Sequence, residues 1–87
     1  MSRPVVLVGH AHVCPIHGPG TVVSGSDTVK LHQKPVARIG DLISCGARIV
    51  TGSPTVSIDG SRPVARQGDT TDHGGTLIEG DPDWLLE

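Results

Sequence analysis

The sequence Pro-Val-Ala-Arg-Ile-Gly-Asp occupies residues 35–41, and Pro-Val-Ala-Arg-Gln-Gly-Asp occupies residues 63–69. The two stretches begin 28 residues apart and are identical at six of seven positions, which indicates an internal repeat. A more divergent copy, Pro-Val-Val-Leu-Val-Gly-His, occupies residues 4–10. We therefore predict that residues 1–87 form a single domain built from three repeats, with residues 83–87 as a short tail.

Each repeat carries a thiol or an imidazole at the same distance from its motif. Three residues separate the ends of the three motifs from Cys14, Cys45 and His73, so these positions are equivalent. Cys45 and His73 lead after five residues to an apolar residue and a turn, whereas Cys14 needs nine. The first repeat thus contains about four additional residues, and His17 lies among them.

Two cysteines and two histidines form the ligand set of many structural zinc sites. Three repeats around a pseudo-threefold axis would bring Cys14, Cys45 and His73 together, and the insertion would supply His17 as the fourth tetrahedral ligand. We therefore predict one structural Zn²⁺ per chain, bound by these four residues. His12 lies two residues before Cys14 and is an alternative to it as a ligand.

The composition supports a metal as a stabilising element. Only 36% of the residues are hydrophobic and Trp84 is the single aromatic residue, so the core must consist of Val, Ile and Leu. Small domains with so little apolar material usually need a disulfide, a metal or a partner subunit. A structural zinc contributes roughly 10–16 kcal/mol in small zinc-binding peptides, which is more than such a core supplies.

Charge and hydropathy exclude several classes of partner. The formal net charge is −2 and the seven Lys and Arg residues are scattered, which argues against nucleic acid or an anionic membrane. No apolar run approaches the roughly 20 residues of a membrane span, and residues 4–8 are too few for a signal-peptide core. We expect synthesis in the cytoplasm, where a disulfide between Cys14 and Cys45 is disfavoured and a metal thiolate is favoured.

The local pattern predicts an all-β domain of short strands. The β-branched segments at residues 21–23, 28–31, 48–50 and 55–58 alternate in part and are separated by Gly, Pro, Ser and Asp. Asp59-Gly60 is typical of a hairpin turn. Only Pro82–Leu86 is compatible with a helix, as one terminal turn.

The other polar residues are expected to have structural roles. Three histidines are expected on the surface: His10, His12 and His32. The two Gly-Asp pairs of the motifs are expected in turns, with Asp41 and Asp69 accepting hydrogen bonds from backbone amides.

We expect Arg38 and Arg66 to make hydrogen bonds or ion pairs between repeats. Glu79 would be a general base beside a zinc-bound water only if the zinc kept an open coordination position.

With these motifs, the chain resembles the PAAR-repeat proteins, whose Pro-Ala-Ala-Arg motif appears here at residues 35–38 and 63–66. The resemblance extends from about Pro4 to Pro82. It departs from the family pattern at Gly9-His10 and at the second motif position, which is Val. It implies a small cone of short strands with zinc near the apex. It also implies a partner, the trimeric valine-glycine repeat-type spike of a contractile injection machine such as the type VI secretion system or a phage tail.

The expected function is therefore structural: the protein sharpens the spike, aids membrane piercing and offers a place for effector cargo. It would assemble in the cytoplasm and leave the cell when the machine fires. One chain per spike trimer is expected because three internal repeats match a threefold axis. The motif prolines would set where strand pairing begins, and the apolar contacts expected at the base are Val29, Leu31, Val56 and Ile58.

Two functions of other classes remain open. A small zinc hydrolase would have three protein ligands and a bound water. A free-standing zinc-binding adaptor would have the closed site and no spike partner.

Overall fold

Nine short strands and their connecting turns make up the computed structural model, which describes residues 3–86. These residues contain no helix that is long and apolar enough to cross a membrane. The strands are β1 (Arg3–Val5), β2 (Ala11–Cys14), β3 (Gly18–Thr21), β4 (Lys30–Leu31), β5 (Lys34–Pro35), β6 (Ser57–Ile58), β7 (Arg62–Pro63), β8 (Thr76–Leu77) and β9 (Asp81–Leu86).

The strands pair antiparallel in four small sheets. β1 pairs with β9, and β2 lies between β3 and β8. The hairpins β4–β5 and β6–β7 form the other two sheets. The predicted all-β fold class is confirmed.

A closed ring of backbone hydrogen bonds joins the three motifs. The amide of Val6 donates to the carbonyl of Ala65 (3.1 Å), that of Ala37 to Val6 (2.9 Å) and that of Ala65 to Ala37 (2.9 Å). Each motif therefore contacts the other two in the same way, which is the predicted pseudo-threefold arrangement. The side chains of all three residues are fully buried.

The ring separates two hydrophobic clusters because neighbouring strand residues point in opposite directions. The third residue of each motif, which is Val6, Ala37 or Ala65, faces one cluster. The second residue of each motif faces the other cluster. We call the first the thiol-side cluster, because Cys45 packs against it: Val6, Val22, Ala37, Ile43, Ala47, Ile49, Ala65 and Leu77. The hairpin-side cluster is Val5, Leu7, Val36, Val64 and Leu86, covered by Val29, Leu31, Val56, Ile58 and Trp84.

The chain ends complete the third repeat, so the prediction of a terminal helical turn at Pro82–Leu86 was wrong. These residues belong to β9, in which Leu85 pairs with Pro4 and Leu86 with Arg3. The same pairing is made within β4–β5 and β6–β7. The predicted tail therefore pairs with β1 in a third two-stranded sheet that is equivalent to the two hairpins. Glu87 lies outside the described residues.

The predicted strands are only partly present. Those at 28–31 and 55–58 are confirmed at their last two residues, and that at 21–23 only at Thr21. The first halves of the segments at 28–31 and 55–58 are not strands, because side-chain hydrogen bonds hold them in turns. The hydroxyl of Ser26 accepts the amides of Thr28 and Val29, and Ser53 does the same in the next repeat. Arg48 and Ile49 form isolated bridges rather than a strand. The Asp59-Gly60 turn is confirmed.

Candidate metal centre

One turn from each repeat lies beyond the thiol-side cluster, and the first of these is the longest. The amide of Ile43 bonds to Ala47 across three intervening residues, and Thr71 bonds to Gly75 in the same way. In β2–β3 the corresponding pair is His12 and Gly20, which are separated by seven residues. The four additional residues extend this hairpin, with Cys14 at one end of the tip, paired with Gly18, and His17 next to Gly18.

The structure brings all four predicted ligands together. One donor atom from each of Cys14, His17, Cys45 and His73 lies within 4.8 Å of the other three. The sulfur of Cys14 is 3.7 Å from Nδ1 of His17, and the ring centroids of His17 and His73 are 5.2 Å apart. Side chains from three repeats and from the insertion therefore converge on one point.

The chemistry of this group fits a metal cation. Nδ1 of His73 is buried and has no hydrogen-bond partner among the described residues, which is costly unless something else binds it. Both cysteines are free thiols, Cys14 buried and Cys45 partly exposed. Two sulfur and two nitrogen donors are the set that tetrahedral zinc prefers. The residues can hold such an ion, and the assignment of these four as its ligands stays a prediction.

His12 lies outside this group, and its predicted exposure was wrong. Its side chain is fully buried because it occupies the core position held by Ile43 and Thr71 in the other repeats. Nε2 lies 3.0 Å from the hydroxyl of Thr71. Burial, and secondarily the charge of His73, lower the pKa of His12, so the ring is neutral at pH 7. Its Nδ1, like that of His73, has no hydrogen-bond partner among the described residues, but His12 is not one of the four grouped donors.

His10 was also wrongly predicted at the surface. Its exposure is 8%, and its Nδ1 accepts the amide of Leu7 at 3.1 Å. Asp41 and Asp69 confirm their predicted role by accepting the amides of Arg38 and Arg66 in the same way, each at 2.7 Å. The divergent first motif thus keeps the hydrogen bond with a different acceptor. His32 is exposed as predicted and lies 2.6 Å from Asp83.

The arginines of the motifs pair chiefly within their own repeats. Arg38 contacts Asp41 and Asp59, and Arg66 contacts Asp69. The hydrogen bonds to Asp41 raise the pKa of Arg38. The expected contact between repeats is present in the bond from Arg38 to the carbonyl of Gly25, at 3.2 Å.

Glu79 takes part in the scaffold. Its Oε1 accepts the amide of Ala11 at 2.8 Å, as Ser24 accepts Leu42 and Thr51 accepts Thr70. Glu79 therefore makes a hydrogen bond whose equivalents in the other two repeats are made by Ser24 and Thr51. Its carboxylate is not one of the four donors that lie together at the candidate metal centre.

Comparison with protein families agrees with the observed repeats. A family model described as the PAAR motif matches residues 1–51 and 17–79, which together span most of the chain. A comparison with curated proteins found no match.

Proposed function

The chain belongs to the PAAR-motif family, and on that premise we propose that it caps the trimeric spike of a contractile injection machine. The observation that carries this proposal is the ring of hydrogen bonds between Val6, Ala37 and Ala65. The ring gives one chain an internal threefold axis, and a single copy bound along a homotrimer's axis can then offer equivalent contacts to all three subunits. We propose one copy per spike trimer.

The docking face in this proposal is the hairpin side. Three equivalent pairs of apolar residues cover it, two from the hairpins and one from the segment of β9: Val29 with Leu31, Val56 with Ile58, and Trp84 with Leu86. Five of the six residues are partly exposed in the isolated chain, and Leu86 is buried. The sequence predicted the first two pairs but not the third, because the tail was not recognised as a strand.

Short exposed strands at this face have backbone groups that a partner strand can use. β4, β5, β6 and β7 each have two residues and form a sheet with their own hairpin partner, while the carbonyls of Pro35 and Pro63 also accept the amides of Val8 and Ile39. An extended β-helical spike can add strands to such edges. Pro35 and Pro63 end β5 and β7, and their missing amides limit where pairing continues.

We propose that the opposite end is held by one structural Zn²⁺ bound to Cys14, His17, Cys45 and His73. Such an ion joins three turns, one from each repeat, where the domain has little apolar volume. Four protein ligands close a tetrahedral zinc and leave no position for a reactive water. We therefore propose that the protein has a structural role and is not a hydrolase.

The location and cargo follow from this role. The protein would assemble in the cytoplasm, with reduced thiols, and leave the cell on the fired spike. The capped spike tip would also offer a place for effector cargo. A free-standing adaptor remains the alternative that a missing spike partner would favour.

The docking face can be tested by one pair of substitutions. Val56→Asp places a charge among the apolar residues of the hairpin side, and we expect it to weaken spike binding at least tenfold while leaving the metal content unchanged. Val50→Asp is the matched control, because Val50 is exposed and lies outside both hydrophobic clusters. Co-purification with the spike and native mass spectrometry measure binding and stoichiometry. Three copies per trimer, or no association at micromolar concentration, would contradict the proposal.

A further inference from the structure

The only two cysteines of the chain meet at the candidate metal centre. Cys14 and Cys45 are 31 residues apart in sequence, in different repeats, yet their sulfur atoms lie within 4.8 Å. A disulfide requires a separation of about 2.05 Å, so the sulfurs must approach by less than about 3 Å. Cys45 is in a short turn followed by Gly46, where a small shift does not disturb a strand.

The two thiols differ in access. Cys14 is 1% exposed at the end of β2, whereas Cys45 is partly exposed. A small oxidant therefore reaches Cys45 first, and Cys14 is placed behind it. An accessible thiol next to a second thiol is the arrangement of redox-sensitive cysteine pairs.

We propose that Cys14 and Cys45 form a site of oxidative modification, at which a peroxide converts the metal-binding thiolates into a disulfide and releases the metal. This inference rests on the proposed metal site. It adds that the metal is bound only while the two cysteines are reduced.

The reaction is a two-electron oxidation in two steps. The thiolate of Cys45 attacks one oxygen of hydrogen peroxide, the O–O bond breaks, and a sulfenic acid and hydroxide form. The thiolate of Cys14 then attacks that sulfur, the S–O bond breaks, and a second hydroxide leaves as the S–S bond forms. Two thiolates are oxidised and one peroxide is reduced to two hydroxides. The proposed site would then have lost both of its anionic donors, and only the imidazoles of His17 and His73 would remain to hold a cation.

The consequence depends on the compartment. Reducing conditions in the cytosol keep both thiols available, whereas oxidising conditions outside the cell favour the disulfide. The centre would then exchange a metal cross-link between repeats for a covalent one between the first and second repeats. His73, the contribution of the third repeat, would be left unbound.

The test uses the reduced, zinc-loaded full chain and stoichiometric hydrogen peroxide. We expect release of nearly one equivalent of zinc, measured with a chromophoric chelator, and a mass about 2 Da below that of the reduced apoprotein. Trypsin cleaves after Lys30 and Arg38, between the two cysteines, so the disulfide appears as two joined peptides. Dithiothreitol should restore both thiols and zinc binding.

The outcomes separate this inference from the metal site itself. Protein that purifies without zinc contradicts the metal site and the release of metal, while peptide mapping still tests the disulfide. Zinc that stays bound after peroxide treatment, or sulfinic acid at Cys45 without a disulfide, overturns the inference alone. Cys14→Ser is the control for mapping, because it retains the accessible Cys45 and cannot form the internal bond.

Discussion

The hairpin side and the thiol side preserve the threefold repeat to different degrees. On the hairpin side an oxygen of each repeat accepts the backbone amide two residues further on, and the acceptors are Ser26, Ser53 and Asp81. The acceptors differ in type but the bond is the same. A turn defined by backbone hydrogen bonds tolerates any short side chain with a suitable oxygen.

On the thiol side the equivalent positions have diverged in chemistry and in length. The core positions hold His12, Ile43 and Thr71, and the turn positions hold Cys14, Cys45 and His73. Here the side chains of three repeats meet one another, so identical residues would place three equal groups at one point. A tetrahedral ion needs a fourth ligand that threefold symmetry cannot supply. The longer first hairpin, with His17, breaks the symmetry and would supply that fourth ligand.

The largest expected effect is on the thiol side. Cys45→Ser removes one of the four proposed zinc ligands, and we expect loss of at least 90% of the bound zinc and a fall in melting temperature of about 15 °C or more. Elemental analysis and thermal unfolding measure the two quantities. Ile16→Ser is the control, because Ile16 is 69% exposed beside His17 and contributes no ligand atom. Full zinc content and unchanged stability in Cys45→Ser would remove this residue from the ligand set.

The next effect concerns the Arg–Asp ion pair within the motif, which is present in the second and third repeats and absent from the first. Asp69 is 2% exposed and contacts the guanidinium groups of both Arg66 and Arg3. Asp69→Asn removes a buried negative charge that faces both guanidinium groups, and we expect a loss of about 3 kcal/mol in the free energy of unfolding.

The divergent first repeat supplies the comparison for Asp69→Asn. His10 makes the equivalent amide bond without an ion pair, so His10→Ala should cost only about 1–2 kcal/mol, the loss of a buried hydrogen bond and some packing. Urea denaturation of both variants measures the difference. Equal losses would show that the ion pairs of Asp69 contribute nothing beyond the amide bond.

A smaller effect is expected where glycine makes room for His12. A Cβ added to Gly75 would clash with Nε2 of His12 and would lie 2.7 Å from the carbonyl of Val13. Gly75→Ala should therefore cost about 2 kcal/mol. At the equivalent Gly20 the nearest atom is the hydroxyl of Ser44, 2.7 Å away on an exposed side chain that can rotate, so Gly20→Ala should cost about 1 kcal/mol. Thermal unfolding that ranks the two in the opposite order would contradict the close packing of His12.

The repeat and the convergence of the four donor residues were predictable because they depend on linear spacing. Equal distances from three similar motifs place Cys14, Cys45 and His73 at equivalent points of any threefold structure, whatever its strands are. The four-residue insertion was visible in the same way.

The environment of single residues was not predictable, because it depends on residues distant in sequence. His12 is buried because its ring meets Thr71 from another repeat, and no local pattern records that neighbour. The segment containing Pro82 and Trp84 is a strand because β1, at the other end of the chain, pairs with it. Local propensity alone therefore gave the wrong structure at the point where the fold closes.

The smallest expected effect is on the hairpin side. The hydroxyl of Ser53 is buried and accepts the amides of Thr55 and Val56, at 3.3 and 3.1 Å, before β6 begins. Ser53→Ala removes this acceptor, and we expect a loss of about 1 kcal/mol, or a fall in melting temperature of about 4–8 °C, with zinc content unchanged. Ser57→Ala is the control, because Ser57 is exposed in β6. If Ser53→Ala also lost zinc, the two sides would be coupled through the ring of Val6, Ala37 and Ala65, and the hairpin side would not be an independent unit.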